Sequence, residues 1–296
     1  MSSSLRVATL NIWNRSGPWP ERLALIRSEL RRLDVELFGL QEVLRQLPEG
    51  GEPHGRWEVG DSEAPEGGTD QATAVAAGTH RYVAYARAAD YGNGLAFGNA
   101  LLSRHPIVEH AGIELPGSET GETRVVLYAL VEHPLGPLPV FVTHLNWKLH
   151  HGSVRRRQVA ALSEHVKALA PIGDSGLPPI IMGDFNAEPD SDEMRFMRGL
   201  ATIDGRSVYF ADAWIYAGDG TPGHTFDRKN RFAAIAHEPP RRIDYIFVRG
   251  PDTKLRGEPL KTRLAFATRV PGPEGDLWPS DHFGLVTEMS IEPRSW

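Results

Sequence analysis

The sequence predicts an α/β (α+β) protein in which packed mixed β-sheets are flanked by helices. Three observations predict it. Short apolar runs outnumber amphipathic helical stretches, the two do not alternate one for one, and several runs end in an acid, an amide or a histidine. Strict alternation would instead indicate a simple doubly wound sheet. The 296 residues, 41% hydrophobic and 24% charged, can fill a sizeable core and exclude wholesale disorder. No fixed-period repeat or sharp break in composition divides them, so residues 1–296 read as a single domain.

Taken in order, Leu5 to Asn11 alternates apolar and polar residues, as a half-buried strand does. Pro20 suits a first helical turn, and Leu23, Ile26, Leu30 and Leu33 form one apolar side of the helix that follows. Val35 to Leu40 is a second strand, ending at Gln41-Glu42. From Gln46 to Gln71 the chain is dense in Gly, Pro and Glu and reads as a long surface excursion. A helix is expected from about Thr69 and a strand near Tyr82–Tyr85. Beyond Gly98, buried strands are expected at Asn99–Ser103, Val125–Val131, Val140–His144, Ile180–Asp184, Ile243–Val248 and Leu285–Met289. Ser153 can cap a helix with Val159, Leu162, Val166 and Leu169 on its apolar side, and Ser191 another running to about Leu200.

Composition excludes several functions. The absence of cysteine rules out disulfides, zinc–thiolate sites and a cysteine nucleophile. No apolar run approaches the roughly 18 residues of a membrane span, and the start lacks a secretory pattern, so a cytoplasmic protein is expected. With 38 acidic against 32 basic residues the net charge is -6, which disfavours a globally basic nucleic-acid binder but not a local basic groove.

The polar residues at strand ends are the informative ones. Asn11, Glu42, His144, Asp184, Asn186, Asp281 and His282 each read singly as a turn, cap or core residue. Together, at the ends of strands that can lie side by side, they have the chemistry of a hard-cation site beside phosphate-binding groups. Mg²⁺ takes oxygen ligands and keeps several waters, so one or two carboxylates such as Glu42 and Asp281 suffice. Amides such as Asn11 and Asn186 orient water or phosphate without adding charge, and His144 and His282 can donate to phosphate oxygens or move protons. Asp244 lies inside the strand Arg242–Val248, where a carboxylate needs a partner, and it can hold His282 in one tautomer.

At these residues the chain resembles the endonuclease/exonuclease/phosphatase superfamily. The matching stretches are TLNIWN around Asn11, LQEV around Glu42, GNALLSRHPI from Gly98, THL around His144, IIMGDFNAEP around Asp184 and Asn186, RRIDYIFV around Asp244 and PSDHFGLV around Asp281 and His282. They run in the family's order from residue 5 to 289. The resemblance implies a four-layer α/β/β/α sandwich with the site at one edge of the paired sheets, and a divalent cation, usually Mg²⁺ and often replaceable by Mn²⁺. It implies Glu42 as principal metal ligand, with Asn11 and Asp281 close to the metal or its waters. Asp184 and Asn186 would orient or deprotonate the attacking water, His144 and His282 would bind phosphate oxygens, Asp244 would pair with His282, and Arg124 would contact phosphate. One departure is Trp13, where some members carry a second acid.

The expected reaction is metal-assisted in-line hydrolysis of a phosphate ester, with Asp184 and His282 both open as the base. For substrate, a small molecule or headgroup is favoured by the net charge. A nuclease or DNA-end processing enzyme is the alternative, and a non-catalytic binding module on the same fold is the third reading. Arg155-Arg156-Arg157, whose other reading is a solvated helix face, can contact a polyanion. Arg241-Arg242 can approach the phosphate, Trp13, Trp147 and Trp278 can stack on substrate or belong to the core, and Thr225–Asn230 can wall the leaving group.

Overall fold

A computed structural model describes residues 4–47, 50–60, 70–171, 176–250 and 252–293. The chain opens with β1 (Ser4–Asn11), α1 (Trp19–Leu33), β2 (Leu37–Gln46), β3 (His54–Glu58), α2 (Gln71–Ala76), β4 (Tyr82–Asp90) and β5 (Leu95–Ser103). There follow β6 (Ile107–Leu115), β7 (Arg124–His133), β8 (Gly136–His144), α3 (Gly152–Leu169), β9 (Ile180–Asp184) and α4 (Asp192–Met197). The remainder comprises β10 (Phe210–Asp212), α5 (Ala213–Ala217), α6 (Arg231–Ala234), β11 (Asp244–Arg249), β12 (Pro259–Ala265) and β13 (Gly284–Ser290).

The strands form two mixed sheets, one in the order β12-β13-β1-β2-β5-β4-β3 and one in the order β10-β11-β9-β8-β7-β6. Among the described residues only β1–β2 and β8–β9 pair in parallel. Side chains alternate across each sheet. Val7, Leu37, Leu127, Val142 and Met182 point into a shared core between the sheets. Their neighbours Ala8 and Phe38 face outward beneath Ile26, Leu30 and Leu33 of α1, while Val126 and Phe141 lie beneath Val159, Leu162 and Val166 of α3. Four layers result, as expected, because each sheet buries both faces. Among the described residues no helix is long and apolar enough to cross a membrane.

Several expectations need correction. Inside the supposed surface excursion, β3 pairs with β4 as an edge strand, and Trp57 packs under the Arg45 guanidinium 4.0 Å from its ring centre. Positions 48, 49 and 61–69 of that stretch lie outside the described residues. β2 does not end at Gln41-Glu42 but runs on to Gln46. Asp70 caps α2, which begins at Gln71, and its carboxylate accepts the Thr73 N–H at 3.0 Å; Thr69, about which the helix is expected to start, lies outside the described residues. α3 begins at Gly152 without a Ser153 cap, and Leu169 is exposed. Ser191 does cap α4, which stops at Met197. β6 and β12 escaped notice because edge strands such as IVEHAGIEL and PLKTRLA carry polar residues on their open face. β10, α5 and α6 are too short, at 3, 5 and 4 residues, for any periodicity to show.

Two polar tethers lie away from the core, the first between the sheets and the second within one of them. Glu36, entering β2, accepts from His105 at 2.7 Å and faces His133 at 3.7 Å, joining the start of β2 to the end of β7. Arg242 makes two bonds of 3.0 and 2.9 Å to Asp212, whose carboxylate also caps α5. The sheets come close together at Gly39, where a Cβ would meet Met182 Sδ at 2.6 Å and Val142 Cγ1 at 3.4 Å. Gly39→Val is therefore expected to destabilise the fold by about 1–3 kcal/mol in urea unfolding. An unchanged midpoint and slope would show that the sheets do not meet there.

Candidate active site

Parallel pairing places the C-terminal ends of β1 and β2, and of β8 and β9, at one edge of the two sheets. Asn11 lies opposite Gln41, and His144 opposite Asp184. β13 and β11 run antiparallel to their neighbours, so their starts reach the same edge, delivering Asp281-His282 and setting Asp244 opposite Asp184. The backbone then aims the side chains. A bulge between Leu40 and Val43 takes Glu42 into the left-handed region at φ 59°, and Asn186 adopts φ 49°. Gly183, at φ 143°, has no room for a side chain, since a Cβ would stand 1.9 Å from the Thr143 carbonyl oxygen.

One amide spans the two sheets. Asn11 Nδ2 donates to Glu42 Oε1 at 3.1 Å and to Asp184 Oδ2 at 3.1 Å, while its oxygen accepts the Trp13 N–H at 2.9 Å. Asp184 Oδ2 also faces His144 Nε2 at 3.4 Å and His282 Nε2 at 3.8 Å. Behind it, His282 Nδ1 bonds Asp244 Oδ2 at 2.9 Å. Asp244 is fully buried, and its backbone N–H donates to Thr225 Oγ1 at 3.1 Å. Asn186 N–H donates to Asp184 Oδ1 at 2.8 Å, fixing the carboxylate from its other side.

These groups open onto a cavity of about 450 Å³ lined by Asn11, Glu42, Arg124, His144, Asp184, Asn186 and His282, with Tyr91, Phe97, Trp147 and Phe226 among its walls. Asp244 and Asp281 stand behind the lining. A separate cavity of about 300 Å³, walled by Leu130, Pro139, Leu169 and Leu177, contains none of them.

Burial sorts the protonation states. Burial and the neighbouring Asp244 raise Asp184 to about 7, against the opposing pull of His282 and Asn11. Burial and the charge of Glu42 raise Asp281 to about 6. Burial alone would lower His282, but Asp244, Asp281 and Asp184 together hold it well above the ordinary histidine value. His144 goes the other way, pushed well down by burial, Arg124 and His282. One imidazole is thus a cation and the other neutral, within reach of the same carboxylate oxygen.

Most of the sequence-nominated groups meet here, with differences. Asn11, expected close to the metal or its waters, presents its nitrogen to Glu42 and Asp184 and so bridges the two carboxylates, while its oxygen accepts from the Trp13 N–H. Arg155 faces no substrate: it is buried, bonded to Glu193 at 2.7 Å and to the carbonyls of Asn146 and Lys148. Arg156 lies 3.9 Å from Asp192, and Arg157 pairs with Glu119. Arg242 is committed to Asp212, whereas Arg241 lines the cavity paired with Glu238. Trp278 packs on Phe283 and Trp13 on Phe232, leaving Trp147, 54% exposed, as the tryptophan on the cavity. Phe226 packs against the His282 ring, 5.1 Å between centres.

Two residues were missed. Asn14 Nδ2 donates to Glu42 Oε2 at 2.9 Å, and the TLNIWN stretch held the clue in its second asparagine. Arg22, buried in α1, donates to the carbonyls of Ile12, Trp13, Asn14, Ser16 and Pro279, clamping the loop after β1 to the Ser280-Asp281 turn. Nothing in the sequence separates it from the other arginines of that helix.

The donor set fits a hard divalent cation. Among the described residues the two Glu42 oxygens accept only from neutral amides, and Asp281, steadied by Ser280 Oγ at 3.1 Å, holds a proton more readily because of its burial and the charge of Glu42. A cation beside them would replace that proton.

Residues 8–282 match the sequence profile of the Endonuclease/Exonuclease/phosphatase family. The chain belongs to that family. It is accordingly a metal-dependent phosphoric ester hydrolase, and the non-catalytic reading falls away. Similar solved structures in this fold include truncated TDP2 from Caenorhabditis elegans, with TM-score 0.69 and 19% identity over 97% of this chain and 98% of that one. TDP2 from D. rerio, complexed with single strand DNA product, gives TM-score 0.65 and 18% identity over 97% and 98%. A family protein from Leptotrichia buccalis gives 0.62 and 16% over 97% and 100%. Among curated proteins, the CCR4-Not complex 3'-5'-exoribonuclease subunit Ccr4 of Kluyveromyces lactis is 26% identical over 169 residues, 51% of this chain. The match spans 21% of that relative's length.

The charge distribution has a measurable consequence. Folded Asp184 keeps its proton up to about pH 7, whereas an unfolded aspartate loses it near 3.8. Between those values the native state binds more protons than the unfolded chain, so its stability falls as pH rises. In metal-free protein the stability of wild type relative to Asp184→Asn is therefore expected to fall between about pH 4 and pH 7, and added divalent cation to offset the fall. Urea unfolding across that range measures it, and a pH-independent difference would contradict the assignment.

Proposed function

We propose that this enzyme hydrolyses small-molecule or headgroup phosphate esters, diesters in particular, by direct in-line attack of water, with Mg²⁺ as the usual cation and Mn²⁺ as an effective substitute. The observation that supports it is the convergence on Asp184 Oδ2 of Asn11, His144 and His282 beside Glu42. Glu42, with Asp281 behind it, would hold the cation, which supplies charge neutralisation at the phosphate and the leaving oxygen.

The protein's own groups divide the remaining work. Asp184 is the base: its raised proton affinity matches neutral pH, whereas His282 is already protonated and has no free site for a further proton. As the water oxygen bonds to phosphorus, its proton passes to Asp184, the opposite P–O bond breaks, and the leaving oxygen departs with the electron pair. Cationic His282, with Asp244 fixing its ring, stabilises the negative oxygens, and neutral His144 and Arg124 donate to them. Asn186 orients the carboxylate through its N–H.

A nuclease is the second reading, favoured by the exoribonuclease relative and by the neighbour complexed with single strand DNA product. Against it, each arginine lining the cavity stands beside an acid, Arg124 beside Glu122 and Arg241 beside Glu238, so the lining holds no surplus of positive charge for a polyanion. Salt-sensitive oligonucleotide binding, with log affinity falling steeply against log salt, would move the assignment to nucleic acid.

With bis-p-nitrophenyl phosphate and Mg²⁺, Glu42→Gln, Asp184→Asn and His282→Ala are each expected to lower turnover by about 10²–10⁴-fold. EDTA should abolish it and Mn²⁺ restore it. Unchanged rates in Glu42→Gln and His282→Ala would remove the proposed mechanism.

A further inference from the structure

Glu122, just before β7, has no part in the chemistry above yet lines the same cavity as Glu42, Asp184 and His282. Its Oε2 accepts from Arg124 at 3.1 Å, and its Oε1 lies 3.7 Å from Lys148 Nζ and 4.0 Å from His151 Nδ1. The side chain is 14% exposed, and Oε1 is buried without a hydrogen-bond donor. Arg124 is buried as well, and its Nε has no partner. Two cationic side chains, Arg124 and Lys148, stand against one carboxylate, with an acceptor and a donor both unsatisfied, and form an anion-binding pocket whose anion is part of the chain; His151 Nδ1 beside them faces the Asn146 amide nitrogen at 3.3 Å.

We propose that Glu122 is a specificity-determining residue: it fills a second anion subsite formed by Arg124 and Lys148, and so restricts the enzyme to phosphate esters whose adjoining group is uncharged or cationic. The inference rests on the reading of this cavity as the phosphate site. A substrate anion next to the phosphate would have to approach Glu122 in a partly desolvated cleft, where like charges repel strongly. An uncharged neighbour meets no such barrier, and a hydroxyl or ammonium group would satisfy Oε1. The aromatic faces of Tyr91 and Trp147 on the same cavity suit such a group.

Ethyl phosphate and 2-phosphoglycolate test this, because they are nearly the same size and differ by one carboxylate. Each is measured as a competitive inhibitor of bis-p-nitrophenyl phosphate hydrolysis, with Mg²⁺ in excess. In Glu122→Gln, 2-phosphoglycolate is expected to bind on the order of tenfold more tightly than to wild type, and ethyl phosphate to change by less than about threefold. Adding Lys148→Met should cancel the gain. Equal changes for the two ligands would mean that Glu122 only holds Arg124 in position, and no change in either would mean that it faces no ligand; both overturn the proposal. If wild type turns over no ester, the proposed hydrolysis fails, while calorimetric titration of the same two compounds still reads the ratio. Circular dichroism checks folding, and Glu122→Ala gives the same reading should the amide variant not fold.

Discussion

The amide nitrogen of Asn11 is the point at which the two halves of this molecule become one site. It reaches an acid from each sheet, Glu42 from the first and Asp184 from the second, and ties both at hydrogen-bond distance. Two carboxylates brought together at a buried edge repel each other. A neutral bridging donor is what lets them coexist without being cancelled by a fixed positive charge. A lysine there would neutralise the pair and compete with any cation, and an apolar side chain would leave both oxygens unpaired.

Around that bridge the molecule separates acids from bases by burial. Asp244, inside a strand and wholly buried, bonds the His282 ring and favours its positive form. The same positive ring depresses His144 nearby, so the two histidines differ in charge although both face Asp184. Such a distribution needs rigid supports, and most are backbone features. The bulge at Glu42, the left-handed turn at Asn186 and the glycine at 183 are each costly in isolation. They persist because core packing on both sides of each sheet leaves the chain no alternative course.

Much of this was legible in the order of residues. Strands that are buried on both faces read as apolar runs, so β1, β2, β8, β9, β11 and β13 stood out, and the polar residues closing them marked the edge where they meet. Edge strands β3, β6 and β12 did not stand out, because half their side chains face water and break the apolar run. Local arginine clusters misled for a related reason. Charge is visible in a sequence but pairing is not, and Arg155, Arg157 and Arg242 are all committed to acids distant along the chain. Asn14 lay inside a recognised stretch, yet its contact with Glu42 depends on left-handed turns at Trp13 and Asn14 that no spacing rule anticipates.

Arg22 joins chain segments that lie far apart in synthesis. Its guanidinium gathers carbonyls from residues 12–16 and from Pro279, and β13, the last of the described strands, lies between β12 and β1 in the sheet. Until residues 280–290 leave the ribosome, β1 has a bare flank and the guanidinium lacks its final acceptor. The site is therefore incomplete until β13 takes its place, because Asp281 and His282 enter it with that strand.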